Sequence, residues 1–242
     1  MTDAQVRAAL IALWLAGLVV FALMAVLAAA HDTFPMDVWL TERLQSVHSE
    51  ALSQTLNTTS DLAVMPWLAL VAGVAVVGYL VRGGPMPPLL LVAAVTSRVV
   101  VGILKEVVER PRPSPSLVDV EHQLSSLSFP SGHSFNAMLI YGLIFYFATV
   151  LVRPPASRRA IQAACVWVIV LTGVQRVYFG YHWTSDVLGG FLLGAVFVGV
   201  FVGLHRLSLR SPMLQRRLRG GSFAFSLAPA SPGVSHTRSE HQ

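Results

Sequence analysis

Three short stretches of this chain combine cations, histidines and a carboxylate at spacings that suit the handling of an anion. The first is Lys105-Glu-Val-Val-Glu-Arg-Pro-Arg112-Pro113. The second is Pro130-Ser131-Gly132-His133, and the third runs from Arg176 through His182 to Asp186. Arg112 offers a planar fork of donors that matches phosphate oxygens, and Lys105 offers a point charge. Ser131 and Gly132 precede an apolar run, so their backbone N–H groups are expected to point out of a helix N-terminus, which favours anions by geometry and dipole. His133 would project from the first turn, placed to pass a proton. His182 and Asp186 are four apart, close enough on a helix for the carboxylate to fix the imidazole tautomer and support positive charge on the ring. Arg176 adds a third cation.

Taken singly, these residues have plainer readings. His133 alone reads as a satisfied interfacial histidine, Asp186 as a helix N-terminal cap, and Lys105 and Arg112 as snorkelling anchors. Their joint spacing is what argues for a site. His31, His48, His122, His205, His236 and His241 have no such company and read as surface or tail; no pair has metal-ligand spacing on one helix. The single cysteine, Cys165, excludes a disulfide framework and a cysteine-based metal cluster, and lies in an apolar run as packing.

The elements that must position these stretches are membrane spans. Of 242 residues, 54% are hydrophobic and only 12% charged, with a mean hydropathy of +0.63. A soluble domain carries about 25% charged residues, so disorder and ordinary soluble enzymes are disfavoured. A helix crosses a bilayer with about 20 apolar residues. Six runs qualify: Ala8–Ala30, Leu62–Val81, Leu89–Leu104 (interrupted by Arg98), Ser134–Val152, Ala160–Gln175 (extendable through Phe179) and Val187–Leu204. Ala28-Ala29-Ala30 resembles a small-residue cleavage site, but the run before it is longer than a signal core.

Basic residues orient the spans. With the N-terminus inside, eleven arginines and two acids fall on the cytoplasmic side, a balance of +9, against −4 elsewhere. The net charge of +5 therefore reads as a topology signal rather than a nucleic-acid surface, and all three chemical stretches fall on one outer face. Between the first two spans, Leu40, Leu44, Val47, Leu52 and Leu56 suggest one short amphipathic helix on the membrane surface. Trp39, Trp183, Tyr178 and Tyr181 read as an interfacial belt. Arg98 is costly within a span and should face the bundle, either toward the site or in a structural hydrogen bond.

These motifs resemble the three-part signature of the type 2 phosphatidic acid phosphatase superfamily, the lipid phosphate phosphatases and haloperoxidases. That signature is Lys, six residues, Arg-Pro; then Pro-Ser-Gly-His; then Ser-Arg, five residues, His, three residues, Asp. The chain departs from it once, with Gln175 in place of the serine before Arg176; glutamine can still donate a hydrogen bond. The resemblance covers about residues 60–205. It fits the six-span layout, and with the amphipathic segment read above the expected fold is an all-α, six-transmembrane-helix bundle with a short interfacial helix between the first two spans. The organisation expected is 1–60, first span and outer amphipathic segment; 61–206, catalytic core with five spans; and 207–242, a basic disordered cytoplasmic tail.

The resemblance further implies a hydrolase of lipid phosphates that needs no metal or other cofactor. His182 would attack phosphorus, Asp186 would orient it, and His133 would protonate the leaving oxygen and then activate water. Lys105, Arg112, Ser131, Gly132 and Arg176 would hold the phosphate. The expected partners are a lipid phosphate substrate and the bilayer, without nucleic acid, in a bacterial inner membrane with both termini cytoplasmic and the site periplasmic. Isoprenyl (undecaprenyl) pyrophosphate, phosphatidate and phosphatidylglycerol phosphate are the substrate classes in view. A vanadate-dependent haloperoxidase is disfavoured by six spans. A non-catalytic lipid-binding or transport protein is disfavoured by the presence of both histidines and Asp186.

Overall fold

The computed structural model describes residues 2–47, 49–64 and 99–210. The expected second span, most of the third, Arg98, the tail beyond residue 210, and His48, His236 and His241 lie outside the described residues.

Seven helices carry the described chain. They are α1 (Asp3–Ala30), α2 (Pro35–Gln45), α3 (Glu50–Val64), α4 (described over residues 99–108), α5 (Gly132–Leu151), α6 (Pro155–Tyr178) and α7 (Thr184–Arg210). No strand occurs among the described residues. Among the described residues, four helical segments are long and apolar enough to cross a membrane: Gln5–Ala30, Gly132–Leu151, Pro155–Tyr178 and Thr184–Leu207. They coincide with the first, fourth, fifth and sixth expected runs. The fifth is longer than the apolar run at both ends, because Pro155 pre-organises its first turn.

The segment between the first two runs differs from expectation. It forms two helices, α2 and α3, rather than one. The Ser46 hydroxyl turns back to the Arg43 carbonyl at 2.7 Å and Val47 N–H to Leu44 O at 3.3 Å, which closes α2 before α3 begins.

The core is built where α5 packs on α7 and α6, with α1 laid along α7. Phe129, Phe135, Leu139, Leu143 and Phe147 meet Leu193 and Phe201, and Phe21 of α1 stacks on Phe129 with centroids 5.8 Å apart. Burying such side chains stabilises a soluble fold by about 1.5–3 kcal/mol each; in lipid, close van der Waals packing takes over that role. Gly190 is what lets α7 press against the start of α5. A Cβ there would lie 2.5 Å from the Ser131 carbonyl oxygen. Elsewhere α1 stays largely uncovered, with Leu13 71% and Val26 65% exposed, as a lipid-facing helix requires.

Two side chains sit differently from the sequence expectation. Trp183 is fully buried rather than part of an interfacial belt, because the turn before α7 folds it inward. His205 is buried rather than at the surface. Its Nδ1 is 3.0 Å from the Tyr146 hydroxyl and its ring packs edge-on against Tyr146 and Phe147 of α5. Cys165 is buried, as packing.

Candidate active site

The end of α4, the start of α5, the end of α6 and the start of α7 converge at one end of the bundle. The local sequence explains each placement. Helix α6 stops in a Schellman motif: Tyr181 N–H bonds the Arg176 carbonyl at 3.0 Å and Gly180 N–H bonds Val177 O at 3.0 Å. The motif needs a left-handed residue, and Gly180 supplies it at φ 65°. Any side chain there would also strike the Asp119 carbonyl. The same Arg176 carbonyl accepts His182 N–H at 3.1 Å, so the helix that ends in a cation also holds the backbone of the histidine. On the other side of the site, Glu109 adopts φ 52°, and the chain turns so that Arg110 points inward.

His182 is 2% exposed. Its Nδ1 lies 3.6 Å from Asp186 Oδ2, an i,i+4 pair as the spacing predicts, although His182 precedes α7 rather than belonging to it. Its Nε2 lies 3.2 Å from Arg112 Nη1. Burial pushes the imidazole pKa down to about 4, against the opposing pull of Asp186 and with the positive charge of Arg112 and Lys105 adding to the fall. The ring is therefore neutral at pH 7; with Nδ1 turned to Asp186, the lone pair lies on Nε2, facing the Arg112 guanidinium.

Asp186 acts both as a helix cap and as the partner of the imidazole. Its Oδ2 accepts Trp183 N–H at 2.9 Å, the return half of a capping box. The same oxygen accepts the hydroxyl of Ser128, whose Oγ is also 3.4 Å from His182 Nδ1. Oδ1 accepts Arg110 Nη1 at 2.7 Å. Arg110 is 1% exposed and also meets Asp37 of α2, with Nη2 2.9 Å from Oδ2. Removing one member of such a buried charged set costs about 3–5 kcal/mol, because the remaining charge is left uncompensated.

The cations named from the sequence lie around the histidine. Lys105 Nζ donates to the Leu127 carbonyl. Its pKa is lowered to about 8, by burial first and by Arg112 second. Arg112 is fixed as a fork: Nη2 bonds Ser126 Oγ at 2.8 Å, Nε bonds Ser126 O at 2.5 Å, and Nη1 donates to the Tyr181 carbonyl. Arg176 is buried, with its guanidinium 5.0 Å from the Tyr181 ring centroid. His133, in the first turn of α5, lies within electrostatic reach of Arg176, His182, Arg112 and Lys105.

Ser131 departs from its expected geometry. Its N–H is donated to the Asp186 carbonyl at 3.0 Å, and its hydroxyl accepts the Ser134 hydroxyl at 3.0 Å as the N-cap of α5. The close α5–α7 approach at Gly190 brings these groups together, so the Ser131 N–H faces α7 and not the anion pocket. Gln175, at the position of the signature serine, is 2% exposed and turns toward α3, with Nε2 3.5 Å from Asn57 Oδ1. No cluster of three potential metal ligands occurs among the described residues.

Ser128, Arg110, Asp37 and Ser185 also take part in this network, and the sequence pattern does not single them out. For Arg110 one signal existed: the repeated Arg-Pro dipeptide places a second arginine two residues before Arg112. Asp37 lies far away in the chain, in a stretch whose apolar pattern drew the attention.

Comparison with known proteins identifies the family and the fold. Residues 88–210 match the PAP2 superfamily. The chain is 42% identical over 107 residues to phosphatidylglycerophosphatase B of Bacillus subtilis (strain 168), covering 44% of this chain and 51% of that protein. It is 28% identical over 112 residues to lipid phosphate phosphatase delta of Arabidopsis thaliana, covering 42% of this chain and 27% of that protein. The matched stretch thus spans about half of the first relative and about a quarter of the second. Among solved structures, a transmembrane PAP2-type phosphatidylglycerolphosphate phosphatase from Bacillus subtilis superposes with a TM-score of 0.68 at 28% identity, over 78% of this chain and 96% of that one. Aquifex aeolicus LpxE shares the fold, with a TM-score of 0.56 at 23% identity over 72% and 97% of the two chains.

Proposed function

This chain belongs to the PAP2 superfamily, and from that premise we propose that it is a membrane lipid phosphate phosphatase acting through a phosphohistidine. The observation that carries the reading is the setting of His182: Asp186 stands 3.6 Å from Nδ1, a guanidinium stands 3.2 Å from Nε2, and Lys105, His133 and Arg176 surround the pair.

In the first half-reaction His182 Nε2 forms a bond to phosphorus while the P–O bond to the lipid breaks. The leaving oxygen takes a proton from His133. Asp186 supports the positive charge that develops on the ring. Water then attacks phosphorus, His133 accepts its proton, the N–P bond breaks and inorganic phosphate leaves. Phosphoryl transfer demands positioning and charge stabilisation above all, and Lys105, Arg112 and Arg176 supply three cations for the phosphate oxygens, with the Gly132 backbone approaching from the start of α5. The expected reaction needs no metal.

The substrate is amphiphilic, its phosphate at this pocket and its tail among the helices. An apolar cavity of about 480 Å³ between α2, α6 and α7, walled by Leu40, Leu44, Val170, Val174, Val187 and Phe191, supports that reading. The similarity to the Bacillus protein makes phosphatidylglycerol phosphate the first substrate to try, with phosphatidate and isoprenyl (undecaprenyl) pyrophosphate beside it. The site faces the outer side of the membrane and both termini the cytoplasm, as the arginine distribution requires. Reporter fusions after Arg82 and after Asp119 should fall on opposite sides.

The deciding experiment is phosphate release by the purified protein in detergent with EDTA, from a panel of these three lipids. Release that disappears in His182→Ala is expected. No release from any lipid, or full activity in His182→Ala, overturns the reading.

A further inference from the structure

We infer that Asp37, on the helix between the first two spans, is a positioning residue of the reaction: through Arg110 it sets the charge and orientation of Asp186, and thereby of His182. The inference rests on the phosphatase reading above.

The contacts form a closed circuit. Asp37 is 3% exposed. Its Oδ2 accepts Arg110 Nη2 at 2.9 Å and the Ser185 hydroxyl at 2.6 Å, and its Oδ1 accepts Ser185 N–H at 2.8 Å. Arg110 Nη1 reaches Asp186 Oδ1 and Ser185 Oγ, both at 2.7 Å. The segment leading into α2 holds the same guanidinium twice more: Nε donates to the Asp32 carbonyl at 3.2 Å, and the Phe34 ring lies under it at 4.9 Å. Asp37 thus anchors the first turn of α7 from outside the helix, next to the residue that faces the nucleophile. On its own helix, the Thr41 hydroxyl donates to the Asp37 carbonyl at 2.7 Å and is itself buried. Met36 and Trp39 are 62% and 55% exposed, so those two side chains face outward while the carboxylate faces the site.

Charge tells the two roles apart. A guanidinium tying down one carboxylate would be neutral. Here two carboxylates share one guanidinium, leaving a net negative charge beside an imidazole that becomes positive on attacking phosphorus. The other charged or titratable groups around His182 are Lys105 and Arg112 from the chain around α4, His133 from α5 and Arg176 from the end of α6. All of these act against a positive ring, so the extra negative charge is the counterweight. Asp37→Asn keeps the shape and removes that charge.

The test uses this chain in detergent micelles with whichever of phosphatidylglycerol phosphate, phosphatidate and isoprenyl pyrophosphate the wild type hydrolyses fastest, wild type counting as inactive only if it hydrolyses none of them. In Asp37→Asn, kcat should fall about 10- to 100-fold, as for a misplaced reacting group, with KM within about twofold. The acid limb of kcat/KM should also move to lower pH, because the surroundings of His182 become more positive by one charge. A kcat and an acid limb like those of the wild type would overturn the inference. So would an activity loss that follows the folded fraction, read from the melting curve, with the limb unmoved. If Asp37→Asn does not fold, Ser185→Ala carries the test: it keeps every charge and cuts one link, so kcat should fall with the limb in place, and an unchanged kcat overturns the inference. Wild-type turnover with a dead His182→Ala keeps the parent reading standing whatever Asp37→Asn does. Inactive wild type, or active His182→Ala, overturns both.

Discussion

A guanidinium nitrogen of Arg112 lies 3.2 Å from Nε2 of His182, on the side of the imidazole opposite the one that Asp186 faces. An oxyanion arriving at Nε2 therefore meets a donor already aimed at its oxygens. Vanadate, which mimics five-coordinate phosphorus, should inhibit at micromolar to millimolar concentration. Arg112→Lys should weaken that inhibition by at least about tenfold, since an ammonium cannot replace a fork fixed by Ser126 and Tyr181. Inhibition constants for the two proteins decide it.

The pH profile has two limbs of known sign. His182, with its pKa lowered to about 4, takes up a proton and stops attacking as pH falls through that value. Lys105, lowered to about 8, is charged below that value and loses its charge as pH rises through it. Between those values neither His182 nor Lys105 changes charge. The alkaline fall should appear chiefly in KM, because bound phosphate holds the proton on Lys105. Lys105→Arg should remove the alkaline limb, since a guanidinium stays charged. Lys105→Ala should lower kcat/KM about 100-fold or more across the range.

Ser128 is fully buried and donates its hydroxyl to Asp186 Oδ2 while lying beside His182 Nδ1. Ser128→Ala leaves that carboxylate oxygen with Trp183 N–H. Stability should fall by about 1.5–3 kcal/mol, the usual worth of a hydrogen bond to a charged group. Turnover should fall with little change in KM. Thermal melting and steady-state kinetics on the same preparation separate the two effects.

Gly180→Ala tests the turn that delivers His182. The residue sits at φ 65°, and its added Cβ would collide with the Asp119 backbone. A loss of about 1–3 kcal/mol is expected from the backbone conformation alone. Relieving the collision must move either the Asp119 loop or the turn, so kcat should fall as well. An unchanged melting temperature would show that the turn can relax.

The sequence by itself determined the helical class, the four helices among the described residues that can cross a membrane, and the residues Lys105, Arg112, His133, Arg176, His182 and Asp186 that the fold gathers at one end of the bundle. Apolar run length and motif spacing are local properties, so they survive in one dimension. Only the tertiary structure decided what surrounds those residues. The Ser131 N–H went to the Asp186 carbonyl because Gly190 allows two helices to touch. Trp183 and His205 went inward because the faces they occupy are covered by other helices. Asp37, Arg110 and Asp186 came together although the first and last are 149 residues apart in the chain. A buried guanidinium must find carboxylates wherever the fold supplies them, and that pairing is set by packing, with no trace in sequence spacing.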